Sequence, residues 1–416
     1  MTTDLDVSEP PVAPPLWTTS FRLFFSARVI SLFGDAMLMV AIPVVVLQSG
    51  YGVGAVGYVF GGWMAAVALC TVFGGALSDR LGPRTTMVCA DLARFVVQAV
   101  TAVLVFGGTA PLWSLVLLQV LGGAASALFA PGSGSIVPRL TTRLREANAF
   151  VKVAEAITAV VGPGLAGVLI SIVGGGAVFL VDALTYLASA GCLLAMRLGP
   201  MAAAGPATSL VRDIIDGWHE FRSRSWLWPV ILVWMVFGLV VFGPNLPVGA
   251  ALIIGDHGDT GYGLSQAAAG AGAVIGGLVG MRSHPRRPLA AGALAMLAFV
   301  LCPVTLSFPT TVAVVSLGYL VAEGVLAYWS VMWVTALQTH VPESVRGRVF
   351  AYDIAGSLIV LSAGRILAGP AAAALGDRRL MALGGVVAVA CCLALLAIPA
   401  VRRLPANAAT PPDAGD

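Results

Sequence analysis

Twelve apolar runs of a length that can cross a bilayer follow one another from residue 22 to residue 401, separated by short charged or Gly/Pro-rich breaks. About 20 apolar residues form one helical crossing, and only helices or closed barrels satisfy the backbone in lipid. The runs lie at 22–48, 55–78, 85–107, 111–132, 147–172, 175–197, 226–250, 262–281, 288–306, 309–336, 349–374 and 380–401. Composition agrees: 10% of the residues are charged and the mean hydropathy is +0.94, whereas a soluble domain carries about a quarter charged residues. These figures exclude disorder, disulfide scaffolds and ordinary soluble enzymes, and predict an all-α membrane protein with twelve transmembrane helices.

The cations orient the chain. One residue is lysine, Lys152, and the rest of the 23 cations are arginines. With the N-terminus inside, the inside segments carry seventeen arginines and the outside loops two, Arg378 and Arg379. Positive residues favour the cytoplasmic side, so both termini are expected there. The polar tail before the first run lacks the basic region and cleavage site of a signal peptide, so that run is expected to remain.

The longest polar stretch, 198–225, opens as a Gly/Pro/Ala linker and continues as Leu210–Arg224, with Ile214, Ile215, Trp218 and Phe221 on one side. That pattern predicts a helix lying at the membrane surface. It divides a polar N-terminal tail (1–21) and a six-helix half (22–197) from a second six-helix half (226–402) and a polar C-terminal tail (403–416). The halves repeat: Gly75, Arg80, Pro83 and Arg84 align with Gly277, Arg282, Pro285 and Arg286, Val137-Pro138 with Val341-Pro342, and Gly162-Pro163 with Gly369-Pro370. Paired six-helix halves characterise one transporter architecture, with a substrate site between them at mid-membrane.

The stretch Gly75-Ala-Leu-Ser-Asp79-Arg80-Leu-Gly82-Pro-Arg84 resembles the signature between the second and third helices of the major facilitator superfamily, and implies that fold. Gly75 permits close helix approach, and Arg80 and Arg84 can face a carboxylate of a neighbouring helix, with Asp91 and Glu146 the candidates. Together with Arg94 these residues would form a cytoplasmic gate; the alternative is a solvated basic loop that fixes topology. The fifth run contains Thr158-Ala-Val-Val-Gly162-Pro163-Gly164-Leu-Ala166-Gly167, similar to the family's antiporter motif. Thr158 and Ala166 stand where that motif has glycine. The resemblance implies export, while a Gly/Pro-kinked packing face is the other reading. In the fourth run Leu118 stands where many proton-coupled relatives carry arginine. Ser31-Leu-Phe-Gly-Asp35, Glu146-Ala-Asn-Ala149, Asp182-Ala183 and Asp216-Gly-Trp218 resemble the branch of enterobactin-exporter-like and macrolide-efflux-like proteins, over the chain from about Phe21 to Arg403.

Ionisable residues inside spans are functional candidates by default. Asp35, Glu323 and Arg365 sit deepest, with Arg28 two turns below Asp35 on nearly the same face, and these four are the proton-coupling candidates. A carboxyl there can bind and release a proton as access alternates; a fixed ion pair or capping bond is the competing role for Asp35. No opposite charge lies within four residues of Asp35, so its partner is expected on another helix or at Arg28. Asp91/Arg94 and Lys152/Glu155 are i,i+3 pairs near the cytoplasmic end, with structural or gating roles. Asp182 and Asp353 lie near span ends and read as structural. Trp329 and Trp333, at i,i+4, can line a substrate cavity with Asn245 or face lipid.

The sequence therefore predicts a multi-pass cell-membrane transporter, plasma or bacterial inner membrane, that exports a small amphiphilic molecule such as a drug, antibiotic or siderophore by proton antiport. Its expected partners are that molecule, protons and the bilayer, and the expected working unit is a monomer. An uptake permease of the same fold is the alternative, and a non-transporting sensor or membrane enzyme a third. No Walker pattern, metal-ligand spacing or Ser/His/Asp order is visible, so no cofactor, catalytic role or nucleic-acid partner is expected. The six cysteines lie in apolar stretches and read as packing residues.

Overall fold

The computed structural model describes residues 16–141, 143–196, 226–341 and 343–406. The side chains at 72–76, 78–79, 130–131, 134, 145 and 343–355 are outside that description, as is the expected surface helix of the 198–225 stretch. All regular structure among the described residues is helical. The helices α1 (Thr19–Gln48), α2 (Val53–Leu81), α3 (Pro83–Phe106), α4 (Leu112–Leu140), α5 (Leu144–Val173) and α6 (Gly175–Ala195) form the first series.

The next helical stretch, Leu227–Arg282, is 56 residues long. At 1.5 Å per residue it is nearly three times as long as the ~30 Å hydrocarbon layer is thick, so it cannot be one straight crossing. Its backbone breaks at Gly258, with φ 71° and ψ −178°, a conformation that a β-carbon disfavours. The arms are α7 (227–257), which contains a π-helical turn at Gly238–Phe242, and α8 (259–282). The sequence predicted a loop over 251–261; helix instead continues to the single glycine on both sides. Then follow α9 (Pro288–Ser307), α10 (Val312–His340), α11 (Glu343–Leu375) and α12 (Asp377–Ala397). Among the described residues eleven long apolar stretches, one of them doubled, account for the twelve expected crossings.

Within the first series α1 packs on α5 and α6, α2 on α4, and α3 on α4 and α6; within the second, α8 and α9 pack on α10. The series meet along α2·α11 and α5·α8. Glycine makes both seams possible. Gly54 touches Gly369, Gly57 faces the Arg365 carbonyl, and Gly263 lies against the Pro163 carbonyl and Gly167. Ser362 Oγ donates to the Gly61 carbonyl at 2.7 Å, Gln48 Nε2 to Asp259 Oδ2 at 2.7 Å, and Tyr262 O–H to the Met39 carbonyl at 3.4 Å. Every one of these contacts lies toward the end opposite the arginine-rich loops.

Candidate functional site

A cavity of about 330 Å³ lies inside the first series, walled by α1, α2, α3, α4 and α6. Its apolar wall includes Met39, Phe60, Trp63 and Phe129, and its polar wall Arg28, Asp35, Arg94, Gln98, Gln119 and Tyr186. The sequence placed the site between the halves; the lining residues all come from the first half, with Arg365 of α11 stacked behind the wall, its guanidinium 5.5 Å from the Phe60 ring.

The charges at one end of this cavity are organised around Arg94. Its guanidinium pairs with Asp91 one turn earlier and lies 3.9 Å from Asp35. The rings of Tyr186 and Phe129 cover its faces at 4.2 and 4.6 Å, favourable quadrupole contacts for a desolvated cation. Tyr186 O–H donates to Asp35 Oδ1 at 2.5 Å, and Ser189 Oγ to Asp91 Oδ2 at 2.6 Å. Asp182, one turn before Tyr186, is fully buried against Gly34. Its Oδ1 is 3.4 Å from Thr185 Oγ1, while its Oδ2 has no hydrogen-bond partner among the described residues. Asp35 keeps 39% of its side chain exposed and Arg94 5%, so Asp35 is the face of the cluster that looks into the cavity. One buried cation thus serves two carboxylates, with a third, Asp182, buried beside them.

Several sequence expectations change at this point. Arg28 does not pair with Asp35; it reaches Glu155 at 3.3 Å, which also holds Lys152 at 2.7 Å. Asp91 is committed to Arg94 and Ser189, and Glu146 to Arg143 at 2.7 Å, so neither receives Arg80 or Arg84. Arg80 is exposed. Arg84 instead donates to the carbonyls of Leu193 and Leu194, capping the last turn of α6, where exposed carbonyls attract a cation. Gly82 joins α2 to α3 with φ 84°, which accounts for a glycine there; the side chain of Asp79 and the surroundings of Gly75 lie outside the described residues. Asp182, which its distance to a span end marks as structural in sequence, lies fully buried beside the charged cluster. Its signal was the i,i+4 spacing to Tyr186, which puts both on one face of α6.

In the fifth-helix run, Gly162 faces Ala36 of α1, while Gly164 and Gly167 face Ala267 and Gly263 of α8. Glu323, Asn245, Trp329 and Trp333 are not brought to the Asp35 cavity. Asn245 Oδ1 lies 3.5 Å from Cys302 Sγ, and Glu323 on α10 has no ion pair among the described residues. Trp329 and Trp333 are buried, stacked 6.3 Å apart at 10°, with Trp234 and Trp226 against them. They line a separate cavity of about 200 Å³ with Ser357.

Twelve crossings, glycine seams between two helix series and a charged cavity at mid-membrane define a polytopic transporter fold. The sequence profile described as Major Facilitator Superfamily matches residues 24–358, and the chain belongs to that family of transporters. It is similar to an uncharacterized MFS-type transporter, YvqJ, of Bacillus subtilis (strain 168), 22% identical over 390 residues, 90% of this chain and 91% of that protein. It is also similar to the multidrug efflux pump Tap of Mycolicibacterium fortuitum, 28% identical over 366 residues, covering 82% of this chain and 87% of that one. Among solved structures, a POT family transporter in complex with 5-aminolevulinic acid superposes with a TM-score of 0.72 at 14% identity, over 92% of this chain and 96% of that chain. That likeness concerns the fold alone. The protein is a multi-pass cell-membrane protein of this superfamily.

Proposed function

We propose that the chain, acting as a monomer, exports a small amphiphilic molecule in exchange for protons by alternating access. The observation that carries this reading is the excess of carboxylates around Arg94: Asp35 and Asp91 share one guanidinium, Asp182 is buried next to them with an Oδ2 that has no hydrogen-bond partner among the described residues, and only Asp35 faces the cavity. An uncompensated buried charge is costly, and removal of that excess by a proton is the simplest resolution. Asp35 is where a proton or a substrate arriving through the cavity meets the cluster, with the Tyr186 hydroxyl holding the carboxylate in place. Phe60, Trp63 and Phe129 offer the apolar contact surface. The Gly162–Gly167 run of α5 supports export over uptake, and so do the relatives named as multidrug efflux pumps.

Everted membrane vesicles from cells producing the protein test the reading, with fluorescent amphiphiles and an imposed pH gradient of either sign. Accumulation driven by an acidic vesicle interior is expected. Asp35→Asn should abolish uphill accumulation while substrate binding persists, and Asp35→Glu should keep part of it with a shifted pH optimum. If Asp35→Asn still concentrates substrate, the proton site lies elsewhere and Glu323 is tested next. Accumulation only under the opposite gradient would establish uptake.

A further inference from the structure

The two copies of the duplicated loop have different fates. In the first copy Arg84 is spent on the α6 carbonyls. The second copy keeps the arginines as Arg282 and Arg286, adds Arg287, and has Met281 where the first has Asp79. Arg282, Arg286 and Arg287 are exposed, and none has an ion pair among the described residues. The basic loop 282–287 therefore carries three positive charges that nothing described in the fold neutralises.

Beside this loop runs a groove. Helices α8 and α9 both pack on α10, and the space between them is a cavity of about 570 Å³ floored by Leu320, Gly324 and Tyr328. Its walls are small or aliphatic, among them Ile275, Val279, Ala291 and Leu294. Gly276 lies against the Gly324 backbone, so no side chain fills the floor. The groove is polar only at the loop end, where the hydroxyls of Ser283 and Tyr328 meet at 3.2 Å. Helix α9 starts at Pro288, and its positive N-terminal end faces the same place.

An apolar slot that opens beside three uncompensated arginines and two hydroxyls, at the end assigned to the cytoplasm, fits one kind of occupant. We propose that this groove binds an anionic phospholipid of the cytoplasmic leaflet. The acyl chain lies between α8 and α9, the phosphate meets Arg282, Arg286 and Arg287, and the hydroxyls of Ser283 and Tyr328 hydrogen-bond to its oxygens. Basic pockets between membrane helices on this side select anionic headgroups, and the slot removes acyl surface from competition with bulk lipid.

The test is native mass spectrometry of the full-length protein in detergent with an equimolar mixture of palmitoyl-oleoyl phosphatidylglycerol and phosphatidylcholine. Retention of one phosphatidylglycerol is expected in excess over phosphatidylcholine by about tenfold or more, since each basic side chain contributes severalfold near an anionic headgroup. The triple variant Arg282→Gln/Arg286→Gln/Arg287→Gln should remove the preference, and Ala295→Phe, which fills the groove, should remove the retained lipid with the arginines intact. Gel filtration checks that each variant is folded, and equal retention by the unaltered protein decides against the proposal without any variant. Equal retention of the two lipids overturns the proposal. So does phosphatidylglycerol retention that survives Ala295→Phe, because the lipid would then sit on a charged surface and not in the groove.

Discussion

Gly263→Ala should loosen the seam that closes the arginine-poor end. A β-carbon at 263 would lie 2.9 Å from the Pro163 carbonyl oxygen and 3.0 Å from the Gly167 Cα. Both are backbone atoms of α5, so no side-chain rotation relieves the contact. Carbon atoms pack at about 3.5–4.0 Å, which asks α5 and α8 to part by roughly 0.5–1 Å. Overpacking of this size costs about 1–3 kcal/mol, and it falls only on the state in which the two helices touch. The population of that state should drop by about 5- to 150-fold relative to the opened one. Disulfide formation in Gln48→Cys/Asp259→Cys reports the closed seam, since those side chains hydrogen-bond across it at 2.7 Å. Peptide mapping separates that bridge from the six native thiols. Gly277→Ala is the control: it sits on the same helix with nothing within 4 Å of its added carbon, so any gain in helix propensity cancels in the comparison. A Gly263→Ala rate equal to that of Gly277→Ala would refute the argument.

Arg94→Met should leave Asp91 buried without its cation and cost about 3–5 kcal/mol, read as a fall in thermal midpoint in detergent; adding Asp91→Asn should restore part of it, and an unchanged midpoint would mean the carboxylates carry no charge to compensate. Arg378→Ala removes one nitrogen's contact with both Asp256 oxygens, an ion pair about one-third exposed on both sides, and a 3.3 Å bond to the Leu306 carbonyl, so its cost should stay within about 1 kcal/mol and the midpoint should barely move. Pro163→Ala restores a backbone donor in α5 beside the Gly167–Gly263 contact, and should change proton leak or coupling in proteoliposomes more than protein abundance. Unchanged leak and transport would reduce the Gly162–Gly167 run to packing.

The twelve crossings were legible in the sequence because a bilayer imposes its thickness locally: each run needs enough apolar residues to cover one span, whatever its neighbours do. The i,i+3 pairs Asp91–Arg94 and Lys152–Glu155 were legible for the same reason, since helix geometry alone brings them together. Packing decided what single-helix periodicity leaves open, namely how each helix is rotated and which helix stands beside it. Arg28 and Asp35 share a face of α1, yet the placement of α5 draws Arg28 to Glu155, and that of α3 and α6 gives Asp35 to Arg94 and Tyr186. Asp182 looked peripheral because sequence measures depth from a span end; α6 turns it onto Gly34, where the missing side chain of a neighbouring helix makes room for a carboxyl. Trp329 and Trp333 follow the same rule: their spacing sets them on one face, and the tryptophans of α7 and the residue before it turn that face into core. Apolar length and charge bias are properties of a segment and survive without tertiary structure, whereas a charged site is a property of the angles between segments, which exist only once the helices have packed.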